Sequence, residues 1–142
     1  MDESIINNMK EQLGLKDVDV KSYSPLSLAY IGDAVYEVII RTILLNQGNM
    51  PVNKYHHRAS RLVNAAAQSQ MMHILEPILT EEEVAVYKRG RNAKSYTSAK
   101  HASVIDYRRA TGFEALIGYL YLKEDMERIC FLVKIGLHIG EE

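Results

Sequence analysis

Apolar side chains recur every three or four positions along most of this chain, and no stretch alternates apolar with polar residues in the manner of a strand. That period predicts helices throughout. Ile5, Ile6, Met9 and Leu13 share one side of a first short helix that stops at Gly14. Ser24-Pro25 starts a second, the serine accepting from an orphan amide and the proline sitting harmlessly in the first turn, and this helix runs to about Gln47 before Gly48. Pro51 to Leu75 reads as one further helical region, in which Ala65-Ala66-Ala67 allows close helix approach and after which Pro77 marks the end. Thr80 with Glu83 fits a capping box that opens a helix closed by Gly90. Arg91 to Lys100 has no apolar period and reads as a basic loop. A helix from about Ser103 to Lys123 then carries Phe113, Leu116, Ile117 and Leu120, and Asp125 caps a last helix reaching Ile139. The predicted fold class is all-α, and a chain of 142 residues fits one domain over 1–142.

Composition narrows the class. Apolar residues make up 47% and charged residues 25%, the balance of a soluble globular protein rather than a disordered one. No apolar run approaches the roughly 18 residues of a membrane span, so the expectation is a cytoplasmic protein with no membrane partner. Cys130 lies in the apolar run Ile129 to Val133 and is expected to be a buried, inert thiol.

The net charge of -1 points to no polyanion, but its distribution does. Between Val38 and Leu75 there is no acid, while Arg41, Lys54, Arg58 and Arg61 are basic. Between Val84 and Phe113, Asp106 is the lone acid among Lys88, Arg89, Arg91, Lys94, Lys100, Arg108 and Arg109. One such stretch is ordinarily a solvated helix face. Two in one short domain favour a phosphate backbone, because each phosphate neutralised releases counterions. His56 and His57 read as facing water, with no metal-ligand spacing to His73 or His101.

On a wheel of about 100° per residue the second helix places Leu28, Ile31, Val35, Val38, Ile39 and Thr42 on one face and Tyr30, Asp33, Glu37 and Arg41 on the other. Asp33 and Glu37 can share a space, and Glu37 can equally pair with Arg41. Gly32 is the odd residue, since a mid-helix glycine costs about 1 kcal/mol and calls for close approach of another backbone. Gly118 raises the same question. Glu114 sits in an otherwise apolar run, with Tyr107, Thr111 and Tyr121 on roughly its face, and a buried acid there must be paired, hydrogen-bonded or metal-bound.

The segment Leu28-Ala29-Tyr30-Ile31-Gly32-Asp33-Ala34-Val35 resembles the signature helix of ribonuclease III, and Phe113-Glu114-Ala115-Leu116-Ile117-Gly118 resembles that family's second catalytic helix. The two occur in the family's order, about eighty residues apart. The loop Lys88-Arg89-Gly90-Arg91-Asn92-Ala93-Lys94-Ser95 is similar to the short subgroup, mini-ribonuclease III, which lacks the appended double-stranded-RNA-binding domain. The resemblance implies a homodimeric helical bundle with a valley for duplex RNA, in which Asp33 and Glu114 are the catalytic, metal-binding carboxylates. It implies Mg2+ as cofactor, with Mn2+ as a substitute, and hydrolysis that leaves 5' phosphate and 3' hydroxyl ends. The subgroup further implies maturation of precursor 23S ribosomal RNA in large-subunit biogenesis, with a large-subunit ribosomal protein as a partner.

This sequence departs from the family pattern in three places. Ala29 stands where the family has a glutamate ligand, Thr111 where it has an aspartate, and Leu26 where the signature has an earlier glutamate. Those losses would suit a noncatalytic RNA-binding or ribosome-assembly protein on the same scaffold. Magnesium, however, commonly takes only one or two protein carboxylates and completes its octahedron with water and phosphate oxygens, so Asp33 and Glu114 suffice. Glu37 and Thr111 are expected as auxiliary residues, and Lys88, Arg89, Arg91, Asn92, Lys94 and Lys100 as the RNA-binding set.

Overall fold

Capping chemistry sets the helix boundaries. In the computed structural model, which describes residues 4–94 and 103–141, Ser4 accepts from the Asn7 amide and Gly14 closes the end, so α1 spans Ile5–Leu13. Ser24 accepts from Ser27 and starts α2 at Pro25–Asn46. Then follow α3 (Val52–Val63), α4 (Ala65–Leu75), α5 (Glu81–Asn92), α6 (Val104–Leu122) and α7 (Met126–Gly136), with short 3₁₀ turns at Val20–Ser22 and Glu76–Ile78. The described residues contain no strand, so the all-α expectation holds. None of these helices is long and apolar enough to cross a membrane.

Three boundaries differ from the sequence reading. The region from Pro51 to Leu75 is two helices, because Asn64 takes an extended backbone (φ -70°, ψ 160°) and its side chain accepts from the Ala67 amide at 2.8 Å. Asn64 is a better cap than a helix interior residue, and the three alanines after it form the first turn of α4, with Ala65 and Ala67 half-buried and Ala66 exposed. Gly90 does not end α5, which continues to Asn92. A side chain at Gly90 would sit 2.9 Å from the Gly112 Cα, so it serves close packing on α6. The last helix stops at Gly136, short of Ile139.

Helix α6 is the centre of the molecule. From Ala110 to Leu120 every residue except Glu114 is buried, because α2, α4, α5 and α7 all pack on it. Phe113 meets the Tyr36 ring edge-on at 5.0 Å, and the buried Tyr36 hydroxyl donates to the Leu62 carbonyl at 3.3 Å. Each such large side chain contributes roughly 1.5–3 kcal/mol on leaving water. The capping-box glutamate of α5 also ties that helix to α7. Glu83 accepts from Arg128 Nε and Nη2, both at 2.8 Å, and from the Thr80 amide at 2.9 Å. Burial alone would push its pKa up, but those hydrogen bonds together hold it below the ordinary value, so it stays charged and paired.

The buried face of α2 is not quite the one the wheel picks. Leu28, Ala29, Gly32, Val35, Tyr36, Ile40 and Leu44 face inward, whereas Val38 is 60% exposed and Thr42 is exposed. A wheel scores hydrophobicity alone and cannot know that Gly32 must face a neighbouring backbone. Cys130 is likewise exposed, not buried, because Ile129, Leu132 and Val133 already supply the inward face of α7.

Candidate active site

The site follows from how closely α2 and α6 approach each other. A Cβ built on Gly32 would lie 1.7 Å from the Glu114 carbonyl oxygen, and one on Gly118 would lie 1.9 Å from the Leu28 carbonyl oxygen. Only glycine at both positions lets the two backbones touch, which is the reason the sequence carries them mid-helix. Asp33, next to Gly32, and Glu114, on the facing turn of α6, are thereby brought to one cleft of about 640 Å³. Leu26, Ala29, Tyr30, Ile31, Ala34, Tyr107 and Thr111 complete its walls.

Asp33 is exposed and Glu114 half-buried. Burial is the largest influence on Glu114, pushing its pKa up to about 8. A hydrogen bond to the Asp33 carboxyl and the Asp33 charge push the same way, as does the more distant charge of Glu37, while a hydrogen bond from the Gln68 amide opposes them. Ionising Glu114 beside Asp33 is therefore costly, and a cation held between the two carboxyls would offset that cost. They are hard oxygen donors in a cleft open to solvent, a set that fits Mg2+ rather than a sulfur- or nitrogen-seeking metal. Among the described residues no group of three or more His, Cys, Asp or Glu side chains could hold an ion. Among the described residues that line this cleft, Asp33 and Glu114 are the carboxylates.

The other expected residues divide. Thr111 lines the cleft, but its hydroxyl donates to the Tyr107 carbonyl of its own helix at 2.9 Å. Glu37 forms an ion pair with Arg41 at 3.4 Å and borders a second cavity, of about 340 Å³, between α2 and α3. Tyr121 does not join the cleft. It shares Glu114's helical face but lies two turns on, about 10 Å along the axis, and lines a pocket with Ser4, Ile5 and Glu124. His56 is exposed and borders the second cavity, while His57 lies against Arg61 at 2.9 Å.

The basic set begins on a helix end, since α5 continues to Asn92, where the sequence reading started a loop at Arg91; Lys94 lies beyond the helix. Lys88, Arg89 and Asn92 are exposed on the last turns of α5, and Lys94 is exposed just beyond. Arg91 is half-buried, its guanidinium 5.7 Å from the centre of the Tyr87 ring and its Nε donating to Asn92 at 3.2 Å. Lys100 lies outside the described residues. Exposed Arg108 and Arg109 stand on the first turns of α6, ahead of Thr111. Sequence reasoning overlooked Gln68, the amide beside Glu114. Its signal was a polar residue at a core position of α4.

Comparisons with known proteins agree with this arrangement. A family model described as the ribonuclease III domain matches residues 26–125, which include both cleft carboxylates. A Mini-ribonuclease 3 of Clostridium tetani is 50% identical over 125 residues, covering 87% of this chain and 83% of that one. A Mini-ribonuclease 3 of a Thermoanaerobacter species is 42% identical over 142 residues, the full length of both. The crystal structure of a Fusobacterium nucleatum protein shares the fold with a TM-score of 0.76 and 33% identity, covering 85% of this chain and 97% of that one. With the paired carboxylates of α2 and α6 and these matches over most of its length, the chain belongs to the ribonuclease III family of endoribonucleases, on its mini-ribonuclease III branch.

Proposed function

We propose that this protein is a magnesium-dependent endoribonuclease that cuts double-stranded RNA as a homodimer, with Asp33 and Glu114 as the metal-holding carboxylates. The observation that carries the reading is the meeting of these two side chains in one solvent-open cleft. A bound ion supplies an activated water and neutralises charge at the scissile phosphate. Asp33, already exposed, offers its carboxylate to the cleft, and Glu114 must first give up the proton that burial and Asp33 help it keep. Leu26, Ala29 and Tyr30 form the apolar part of the cleft wall beside the two carboxyls. Glu37 and Thr111 act as auxiliary residues, Glu37 through its charge and Thr111 by shaping the wall. Lys88, Arg89, Arg91, Asn92, Lys94 and Lys100 contact the RNA backbone, the part of a duplex that proteins read by shape.

Exposed apolar groups on the site helices support the dimer. Tyr30 is 85% exposed, and Val38 on α2 with Val104 and Ile105 on α6 are also open to solvent. By family, the substrate is precursor 23S ribosomal RNA, trimmed to 5' phosphate and 3' hydroxyl ends in the cytoplasm with a large-subunit ribosomal protein as partner, and Mn2+ replaces Mg2+.

The test is cleavage of a long RNA duplex, against single-stranded RNA and duplex DNA, in Mg2+ or EDTA. Cutting of duplex RNA alone, lost in EDTA, is the expected result. If the pure protein binds the duplex without cutting it, even on a ribosomal-RNA precursor with ribosomal proteins present, the scaffold serves binding only. A second expected result concerns the basic set. Replacing Lys88 and Lys94 together by alanine lowers duplex affinity and reduces the slope of log affinity against log salt by about 2, one for each phosphate that no longer meets an ammonium group. An unchanged slope removes the end of α5 from the RNA interface. Arg91 is left intact in that variant because its ring contact with Tyr87 also packs α5.

A further inference from the structure

Helix α4 buries Gln68, Ser69, Met71, Met72 and Leu75. The longest polar side chain among them is Gln68, which is only 2% exposed. A buried amide with no partner costs about 1–3 kcal/mol, and among the described residues no fully buried side-chain nitrogen or oxygen lacks one. Helix α4 packs on α6, and Gln68 is near enough to Glu114 to act on it, its amide favouring the charged form of that carboxyl. Asp33 and Glu114 both line the cleft, whereas Gln68 is buried in the core and is not part of that lining. The Thr111 hydroxyl is committed to the Tyr107 carbonyl, and among the described residues no third metal-ligand type of side chain joins the pair.

We propose that Gln68 is a positioning residue: its amide holds the Glu114 side chain in one orientation, so that the carboxylate meets a divalent cation without first having to be ordered. A neutral amide suits this task better than a lysine or arginine, whose charge would pair with the carboxylate and compete with the ion. The inference rests on the reading of Glu114 as a metal-holding residue, and it adds a residue from a third helix to a site otherwise built by α2 and α6.

The experiment uses Gln68→Leu, which keeps the size, removes the donor and suits the company of Met71 and Met72; Gln68→Met serves if the leucine variant does not fold. Mn2+ binding by the folded protein, followed by electron paramagnetic resonance, is expected to weaken about tenfold. The Mg2+ concentration for half-maximal cleavage rises by a similar factor, KM for duplex RNA is unchanged, and kcat recovers at saturating Mg2+. Urea unfolding in EDTA supplies a readout free of metal and activity. The shift for Gln68→Leu with Glu114→Ala departs from the sum of the two single shifts, as it must for groups in contact. Additive shifts, or a folded Gln68 variant with native Mn2+ affinity and Mg2+ midpoint, overturn the proposal and leave the catalytic reading intact. Native protein that binds no Mn2+ overturns the metal site itself, and the positioning role with it.

Discussion

Glu114→Gln is expected to make the protein more stable above pH 8 in EDTA, and to slow cleavage of duplex RNA by a hundredfold or more, roughly. Both effects have one cause. In the unfolded chain the carboxyl ionises near its ordinary 4.5, whereas in the fold burial, then the Asp33 hydrogen bond and charge, push its pKa up to about 8. Between those values the unfolded state binds fewer protons than the folded one, so stability falls as pH rises. The contribution is fully present below about 4.5 and is lost as the pH passes about 8. Its size is on the order of 3 kcal/mol, allowing for partial access of water to the half-buried group. Glutamine keeps the shape of the protonated acid and cannot ionise, so the variant lacks this slope. It also gives the cleft one carboxylate instead of two. The measurement is urea unfolding of both proteins from pH 5 to pH 9 in EDTA, with cleavage assayed beside it. Parallel stability curves would show that Glu114 ionises freely in the fold, against the environment described for it. Full activity in the variant would remove it from the reaction.

Gly32→Ala should lose stability by about 3 kcal/mol or more, toward the upper end of overpacking effects. The added methyl would meet the Glu114 carbonyl oxygen at 1.7 Å and the Gly118 amide nitrogen at 2.7 Å. Both neighbours are backbone, so no side-chain rotation can relieve the contact and α2 must move away from α6. That movement separates Asp33 from Glu114 as well, so whatever protein folds should need more Mg2+ to cut. A control is Arg41→Ala, which removes the exposed ion pair with Glu37 and is expected to change stability by less than about 1 kcal/mol. Unfolding midpoints in urea check both. A Gly32→Ala protein within about 0.5 kcal/mol of native would mean that the helices have room to spare at their crossing, and that the glycine has no packing role.

The chain's local chemistry determined its helices. Serine, threonine and aspartate caps at Ser4, Ser24, Thr80, Ser103 and Asp125 act within three residues of themselves, so short-range sequence signals suffice to mark helix starts. The two segments around Asp33 and Glu114 also identified the family, and Gly32 and Gly118 announced a close backbone contact without saying with what. What touches what was decided only by tertiary packing. The inward face of α2 is turned toward Tyr36 and Ile40 because the Gly32 crossing fixes its rotation, and a hydrophobic period cannot report a contact made by the absence of a side chain. Gly90 looked like a helix end because glycine serves both roles, and only the nearness of Gly112 distinguishes them. Cys130 is exposed because the inward face of α7 is filled by its neighbours. Gln68 stands about forty-six residues before Glu114 in the chain, so only folding brings its amide to that carboxyl. Capping and periodicity are short-range and therefore written locally; burial, pKa shifts and the company of each site residue are set by segments far apart in sequence, and they come into existence with the core.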